Sequence, residues 1–223
     1  MKIIGVDYSI NSPAAFKFQL SKDLKDIENF DFIGFSTTKR LAKSCANILY
    51  YDLEDFQNQF ERIFWFRDHI YRWMNISKDD AEGTYIGIEG YAMGAKGRVF
   101  DIAEATFSLK EKIYLTGVPL RIYAPTAVKK HATGNGRAKK GDMSDCFDKT
   151  SYSNIFPGFS KGSPREDIID AFFVAQLLIM ELRLKKGVLK FENLTLKQKE
   201  IFKNKKVDLI KEDFIINNLE EKV

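Results

Sequence analysis

Acidic residues end or interrupt the most apolar segments of this chain, and this feature constrains its fold more than any other. The run IIGVD ends in Asp7 and the run YIGIE ends in Glu89. Asp167 and Asp170 stand at the start of a segment that is apolar nearly all round from residue 168 to residue 180. An uncompensated buried carboxylate costs several kcal/mol, so a fold that buries these segments must supply each acid with a partner.

Any one of these acids has an ordinary explanation. An acid at a strand end is usually solvated, and Asp167 alone fits a favourable interaction with a helix N-terminus. The four together favour a shared site. The three-residue spacing of Asp167 and Asp170 puts both on one face of a helix, and neighbouring strands would place Asp7 beside Glu89.

The hydrophobic pattern predicts an α/β fold. Strands are expected at residues 2–7, 14–20 and 30–38 as an antiparallel meander, followed by strands at 85–91 and 118–123. Helices are expected at 53–73 and 99–116, after Pro125, and from Ser163, where Ser163 and Glu166 form a capping box with Pro164 at the first helical position. Because helices link the later strands, these should pair in parallel. We therefore expect a mixed five-stranded sheet with helices on its faces.

Length and composition favour one globular domain with a small addition. We place the domain at residues 1–182 and a charged C-terminal appendage at 183–223. Two cysteines and two histidines without zinc-ligand spacing argue against a structural zinc site and against a disulfide framework. We find no signal peptide and no membrane span, so we expect a soluble, cytoplasmic protein with no membrane partner.

A cluster of four carboxylates would repel itself unless divalent cations filled it. Mg²⁺ prefers oxygen ligands, and two ions about 3.5–4 Å apart can hold the attacking and leaving oxygens of a phosphodiester. We therefore predict Asp7, Glu89, Asp167 and Asp170 as catalytic metal ligands, with Mg²⁺ as cofactor and two ions in each active site. Asp7, from the central strand, is the expected bridging ligand.

A basic segment indicates a polyanionic partner. Residues 121–140 contain six Arg or Lys residues and no acid. The segment is either a solvated loop or a phosphate-binding surface; a neighbouring acidic metal cluster favours the second. The predicted DNA contacts here are Lys129, Lys130, Arg137, Lys139 and Lys140.

The segment GYAMGAKGR directly follows Glu89 and is either a plain strand-to-helix connection or a loop that enters a DNA branch point. On the second interpretation Tyr91, Met93, Lys96 and Arg98 contact DNA. Ser9 either bonds locally or contacts a phosphate.

Four segments resemble the RuvC family of Holliday junction resolvases: GVDYS, IGIEGYAMGAKGR, APTAVKKHATGNGRAKK and EDIIDAFFVAQ. The resemblance covers residues 1–182 and implies the RNase H-like fold, Mg²⁺ or Mn²⁺ dependence, catalysis by the four acids, and a homodimer that makes paired symmetric nicks in recombination and repair. In the family the position of Asp167 can be His. The long region 21–52 and the tail after Arg183 resemble additions in divergent viral members, which accept branched DNA other than four-way junctions.

The first hypothesis is therefore a crossover junction endodeoxyribonuclease that acts on four-way junctions and related branches. An RNase H-like nuclease acting on RNA–DNA hybrids and a non-catalytic branched-DNA-binding protein remain open alternatives. A sugar kinase with a related fold is excluded, because the chain is short for two domains and lacks a Gly-rich nucleotide loop after its first strand.

Overall fold

The computed structural model describes residues 1–91, 99–156, 159 and 162–202. A six-stranded sheet in the order β4-β3-β2-β1-β5-β6 forms its centre. The strands are β1 (Lys2–Asp7), β2 (Ala14–Leu20), β3 (Ile27–Ser36), β4 (Ile48–Tyr50), β5 (Thr84–Glu89) and β6 (Leu120–Tyr123).

The sheet is mixed, as predicted. Strands β1, β2 and β3 form the antiparallel meander, whereas β5 pairs in parallel with both β1 and β6. The predicted count of five strands was wrong, because β4 adds a sixth strand parallel to β3. It has only three residues and lies inside the region 21–52, too short for a periodic signal.

Seven α-helices surround the sheet in the described residues. They are α1 (Lys39–Ser44), α2 (Gln59–Met74), α3 (Val99–Tyr114), α4 (Pro125–Thr133), α5 (Lys140–Phe147), α6 (Arg165–Lys185) and α7 (Leu196–Phe202). The helix predicted from residue 53 begins later, at Gln59, because Asn58 accepts a hydrogen bond from the Glu61 N–H at 3.0 Å and caps it.

Alternating residues of β1 separate the core into two layers. Ile3 joins the layer against α6, whereas Ile4 and Val6 join the layer against α2 and α3. All three are fully buried. The central strand is therefore apolar on both faces, which is why its sequence is a continuous apolar run rather than an alternating one.

Helix α6 is the most buried helix, but it begins differently from the prediction. It starts at Arg165 with Pro164 as N-cap residue, and no side chain caps it. The predicted capping box is wrong, because the Ser163 hydroxyl donates to the Asp167 carboxylate instead of accepting from the backbone. Among the described helices, none combines the length and apolarity needed to cross a membrane.

The chain after α6 continues along the same side of the molecule. Helix α6 itself extends past residue 182 to Lys185. Leu194 is buried, and Ile201 and Phe202 of α7 pack against the core layer that contains α6. The domain boundary at 182/183 stays a prediction, and residues 203–223 lie outside the described part.

Candidate metal centre

The ends of two parallel strands bring Asp7 and Glu89 to one edge of the sheet. Strands β1 and β5 are in register from Lys2 opposite Thr84 to Val6 opposite Ile88. Asp7 and Glu89 are the next residues of their strands, and both are half-buried. Parallel pairing therefore places the two acids side by side at the carboxyl ends of the strands.

A close approach between β1 and α6 adds the third acid. A Cβ atom on Gly5 would lie 2.2 Å from the Ala171 carbonyl oxygen and 2.4 Å from the Ala175 nitrogen, so only glycine fits at this position. The helix backbone therefore lies directly on the central strand. Asp170, next to Ala171, reaches the same edge as Asp7 and Glu89.

The side chains of Asp7, Glu89 and Asp170 form one cluster. Each offers a carboxylate oxygen, and these oxygens all lie within 4.8 Å of one another. The donor set contains only carboxylate oxygens, which suits a hard divalent cation such as Mg²⁺ or Mn²⁺ and does not suit a soft metal that prefers thiolate.

Burial and mutual repulsion favour protonation of these acids in the absence of a cation. Burial raises the pKa of Glu89 to about 7, with a further contribution from Asp170. Burial also raises the pKa of Asp170 to about 6. The pKa of Asp7 is well above its usual range, first through burial and then through repulsion by Glu89 and Asp170. A bound cation would offset both effects.

Asp167 lies beside this cluster but does not belong to it in this arrangement. Its carboxylate accepts hydrogen bonds from Ser12 Oγ at 2.7 Å, from Ser163 Oγ, and from Lys140 Nζ at 3.2 Å. Asp167 is almost fully buried, and these donors compensate its burial. Three of the four predicted acids are thus brought together, and the fourth is held next to them by other partners.

Two of the predicted DNA-contact lysines lie near the carboxylates. Lys140 Nζ is 3.2 Å from Asp167 and 3.8 Å from Glu166. Burial opposes the charge of Lys140, but Asp167 and Asp170 outweigh it and raise its pKa. Lys129 acts on the cluster at longer range. Its positive charge offsets part of the rise in the pKa of Glu89 and of Asp170. Positive charge therefore flanks the acidic cluster.

The other predicted DNA-contact residues show no contact with the acidic cluster among the described residues. Lys130 and Arg137 line a groove next to α7. Lys139 is exposed at the start of α5. Ser9 Oγ accepts a hydrogen bond from the Ser12 N–H at 3.0 Å, which gives it a local role in the turn.

The loop after Glu89 is described only in part. Tyr91 is 44% exposed, and Lys110 Nζ lies 5.6 Å from the centre of its ring. Met93, Lys96 and Arg98 lie outside the described residues.

One cation and two glycines of the basic segment have roles in the fold of the protein. Arg121 pairs with the buried Glu181, with Nε 3.2 Å from both carboxylate oxygens, so this cation supports the fold. Gly134 ends α4 in the left-handed region, and a Cβ on Gly136 would lie 3.0 Å from the Thr126 carbonyl oxygen. Both glycines therefore serve the backbone path of the segment.

Sequence reasoning missed two residues that shape the site, Ser12 and Gly5. Ser12 is 155 positions from Asp167, and no local pattern reveals such a contact. The Asn11 carbonyl oxygen accepts a hydrogen bond from the Tyr51 hydroxyl, and Asn11 Oδ1 accepts one from Arg62 at 3.2 Å, so the turn that carries Ser12 is anchored. Gly5, a glycine inside an apolar strand, was a usable signal for a close backbone approach.

Comparison with solved structures identifies the fold. No protein-family model and no curated protein matches the chain. The structure of Thermus thermophilus RuvC matches 84% of this chain and 97% of that one, with a TM-score of 0.52 and 14% identity. T. thermophilus RuvC in complex with Holliday junction substrate matches 84% of this chain and 96% of that one, again with a TM-score of 0.52 and 14% identity. The Fowlpox virus resolvase complex with substrate Holliday junction DNA matches 82% and 99%, with a TM-score of 0.49 and 12% identity. The chain has the RNase H-like fold seen in RuvC, which confirms the predicted fold.

Proposed function

We propose that the protein is a structure-selective endonuclease that resolves Holliday junctions and related branched DNA by metal-dependent phosphodiester hydrolysis. The observation that carries the proposal is the convergence of Asp7, Glu89 and Asp170 from three separate elements, with carboxylate oxygens within 4.8 Å of one another. Burying acids together costs stability, and holding divalent cations offsets this cost.

The carboxylates of Asp7, Glu89 and Asp170 would hold Mg²⁺ or Mn²⁺. Such ions activate a water molecule for attack and neutralise charge on the phosphate. We include Asp167 as the fourth catalytic acid and two ions in each site. In the present arrangement Ser12, Ser163 and Lys140 hold and orient the Asp167 carboxylate. Lys140 and Lys129 add positive charge where the scissile phosphate would lie.

Branched DNA is the proposed substrate for two reasons. Two cations of the segment 129–140, Lys129 and Lys140, lie near the acidic cluster, as a polyanionic substrate requires. The fold is that of RuvC, whose T. thermophilus form has been solved with a Holliday junction substrate. We further propose a homodimer, because two copies of one active site can nick two symmetric strands of a four-way junction.

The test compares the wild-type chain with Asp7→Asn on three substrates: a synthetic four-way junction, an RNA–DNA hybrid duplex and a linear DNA duplex. Each is incubated with Mg²⁺, with Mn²⁺ and with EDTA. We expect nicking of the junction with either metal, none with EDTA, and none by Asp7→Asn, which should still bind the junction. Asp79→Asn is the matched control, because Asp79 is exposed and lies outside the cluster.

The same assay separates the alternatives. Preferential cleavage of the hybrid would indicate an RNA–DNA hybrid nuclease. Junction binding without cleavage in any metal would indicate a non-catalytic binder. Junction cleavage retained by Asp7→Asn would refute the proposed active site. Sedimentation of the free chain and mapping of both nicks test the homodimer and the symmetry of cleavage.

A further inference from the structure

A groove along α4 is formed partly by the C-terminal segment. It has a volume of about 490 Å³ and lies between α4, the turn that follows it, and α7. Lys130 and Arg137 line one side, and Lys197, Glu200 and Ile201 line the other. A volume of this size accommodates a nucleotide-sized group.

The α7 wall is fixed to the rest of the protein. Leu194, just before α7, is 5% exposed, and Ile201 and Phe202 contact the core layer around α6. Across the groove, Lys197 Cγ lies 3.7 Å from the position that a Cβ on Gly134 would take. The groove therefore has a defined second wall, built from residues beyond those that carry the motif resemblance.

Helix α4 connects the groove to the acidic cluster. Tyr123 pairs with Glu89 in the sheet, and α4 begins two residues later at Pro125, so the helix starts at the edge that holds the cluster. Lys129 of this helix acts electrostatically on Glu89 and Asp170, whereas the next residue, Lys130, lines the groove. Consecutive residues of a helix are about 100° apart around its axis, so the two lysines face different sides. A polyanion bound at the cluster can thus continue across α4 into the groove with positive charge on both sides.

The charges in the groove suit a phosphate group. The side chains that line the groove include three cations, Lys130, Arg137 and Lys197, and one acid, Glu200. The Glu200 carboxylate lies between two of these cations, 3.1 Å from Lys130 Nζ and 3.7 Å from Lys197 Nζ. A carboxylate between two ammonium groups occupies the kind of position that a phosphate would take.

We propose that this groove binds a backbone phosphate of the nucleic acid substrate, with Lys197 as a DNA-contact residue and Glu200 as an intramolecular competitor for the same cations. The inference rests on the proposed function and extends it to the C-terminal segment. Glu200 pairs with Lys130 and Lys197 in the free protein, and a bound phosphate replaces it as their partner. The phosphate is that of a nucleic acid strand continuing from the cleavage site.

The test measures binding of a fluorescent four-way junction by the full-length chain in EDTA, over a range of KCl concentrations. Lys197→Ala should weaken binding about three- to tenfold at moderate salt and lower the slope of log K against log salt by about 0.9, the value for one lost phosphate contact. Lys197→Arg should restore most of both. Glu200→Gln should bind more tightly than wild type.

Lys199→Ala is the matched control, because it removes the same charge from the same helix. Lys199 Nζ points to the Glu192 carbonyl oxygen at 2.9 Å, and the residue does not line the groove. We expect its salt slope to equal that of wild type. Equal slopes for Lys197→Ala and Lys199→Ala, in a wild-type chain that binds and cuts the junction, would overturn this inference alone.

Two further outcomes also decide the proposal. A Glu200→Gln chain that binds more weakly than wild type would show that the carboxylate supports the lysines rather than competing for them, and would overturn its role as competitor. A wild-type chain that neither binds nor cuts the junction would refute the proposed function, and this inference with it.

Discussion

Gly5 of the central strand lies against the backbone of Ala171 in α6, and this contact sets the position of the candidate metal centre. The Cβ of any other residue at position 5 would lie 2.2 Å from the Ala171 carbonyl oxygen. Because that atom belongs to the helix backbone, no side-chain rotation relieves the clash. The same contact brings the neighbouring Asp170 to the end of β1, where Asp7 lies.

Gly5→Ala should therefore reduce both stability and cleavage. Overpacking of a core commonly costs about 1–3 kcal/mol, and a clash between backbones belongs at the upper end of that range. Thermal or urea denaturation would measure the loss. Gly141→Ala is the matched control, because a Cβ there meets no atom within 4 Å, and alanine should leave the stability of α5 unchanged or raise it by up to about 1 kcal/mol. A Gly5→Ala chain as stable as wild type would contradict the proposed packing.

The sequence predicted the strand ends better than the contacts between distant segments. Asp7 and Glu89 were identified because each closes an apolar strand, and parallel pairing of such strands puts their ends together. The contact between Ser12 and Asp167 was not predicted, because it joins a turn to a helix start 155 residues away. The short strand β4 was missed because three residues show no periodicity.

The acidic cluster should make the metal-free protein less stable as pH rises. The pKa of Glu89 is about 7 in the folded chain, above its ordinary value of 4.5, and that of Asp170 is about 6. Between the ordinary pKa of each acid and its raised pKa, the folded state therefore binds more protons than the unfolded state. The contribution of these acids to the free energy of unfolding is complete below about pH 4 and is lost as pH rises through 6 to 7. Thermal melts in EDTA at pH 5 and pH 8 would measure the loss, and Mg²⁺ should reverse it.

Glu89→Gln should raise the melting temperature of the metal-free chain at pH 8, because the variant removes one buried charge from the cluster. Each kcal/mol added to the free energy of unfolding raises the melting temperature by about 2–4 °C in a chain of this size. The gain should be small at pH 5, where Glu89 is already protonated, and Mg²⁺ should stabilise the variant less than wild type. Asp79→Asn, at an exposed site, should show neither effect. A variant that melts below wild type at pH 8 would contradict the proposed cost of burying the Glu89 charge beside Asp170.

Ser12→Ala should slow cleavage without weakening junction binding. The Ser12 hydroxyl donates to Asp167 at 2.7 Å, and loss of a hydrogen bond that orients a catalytic carboxylate typically costs about 10–100-fold in activity or metal affinity. Single-turnover cleavage at increasing Mg²⁺ would separate these two effects. Ser12→Thr keeps a hydroxyl and should recover most of the rate, and the exposed Ser44→Ala should match wild type. An unchanged rate in Ser12→Ala would show that Ser163 and Lys140 alone hold Asp167.

Arg121→Gln should reduce stability while leaving the salt dependence of DNA binding unchanged. Glu181 is 2% exposed, and its carboxylate accepts hydrogen bonds from Arg121 and from the Tyr123 hydroxyl. Removing the guanidinium leaves a buried carboxylate without its cation, which typically costs about 3–5 kcal/mol. Urea denaturation would measure this cost against Arg40→Gln, which removes an exposed arginine. If Arg121 instead contacts DNA, the slope of log K against log salt falls by about 0.9 in Arg121→Gln, and its assignment to the fold is wrong.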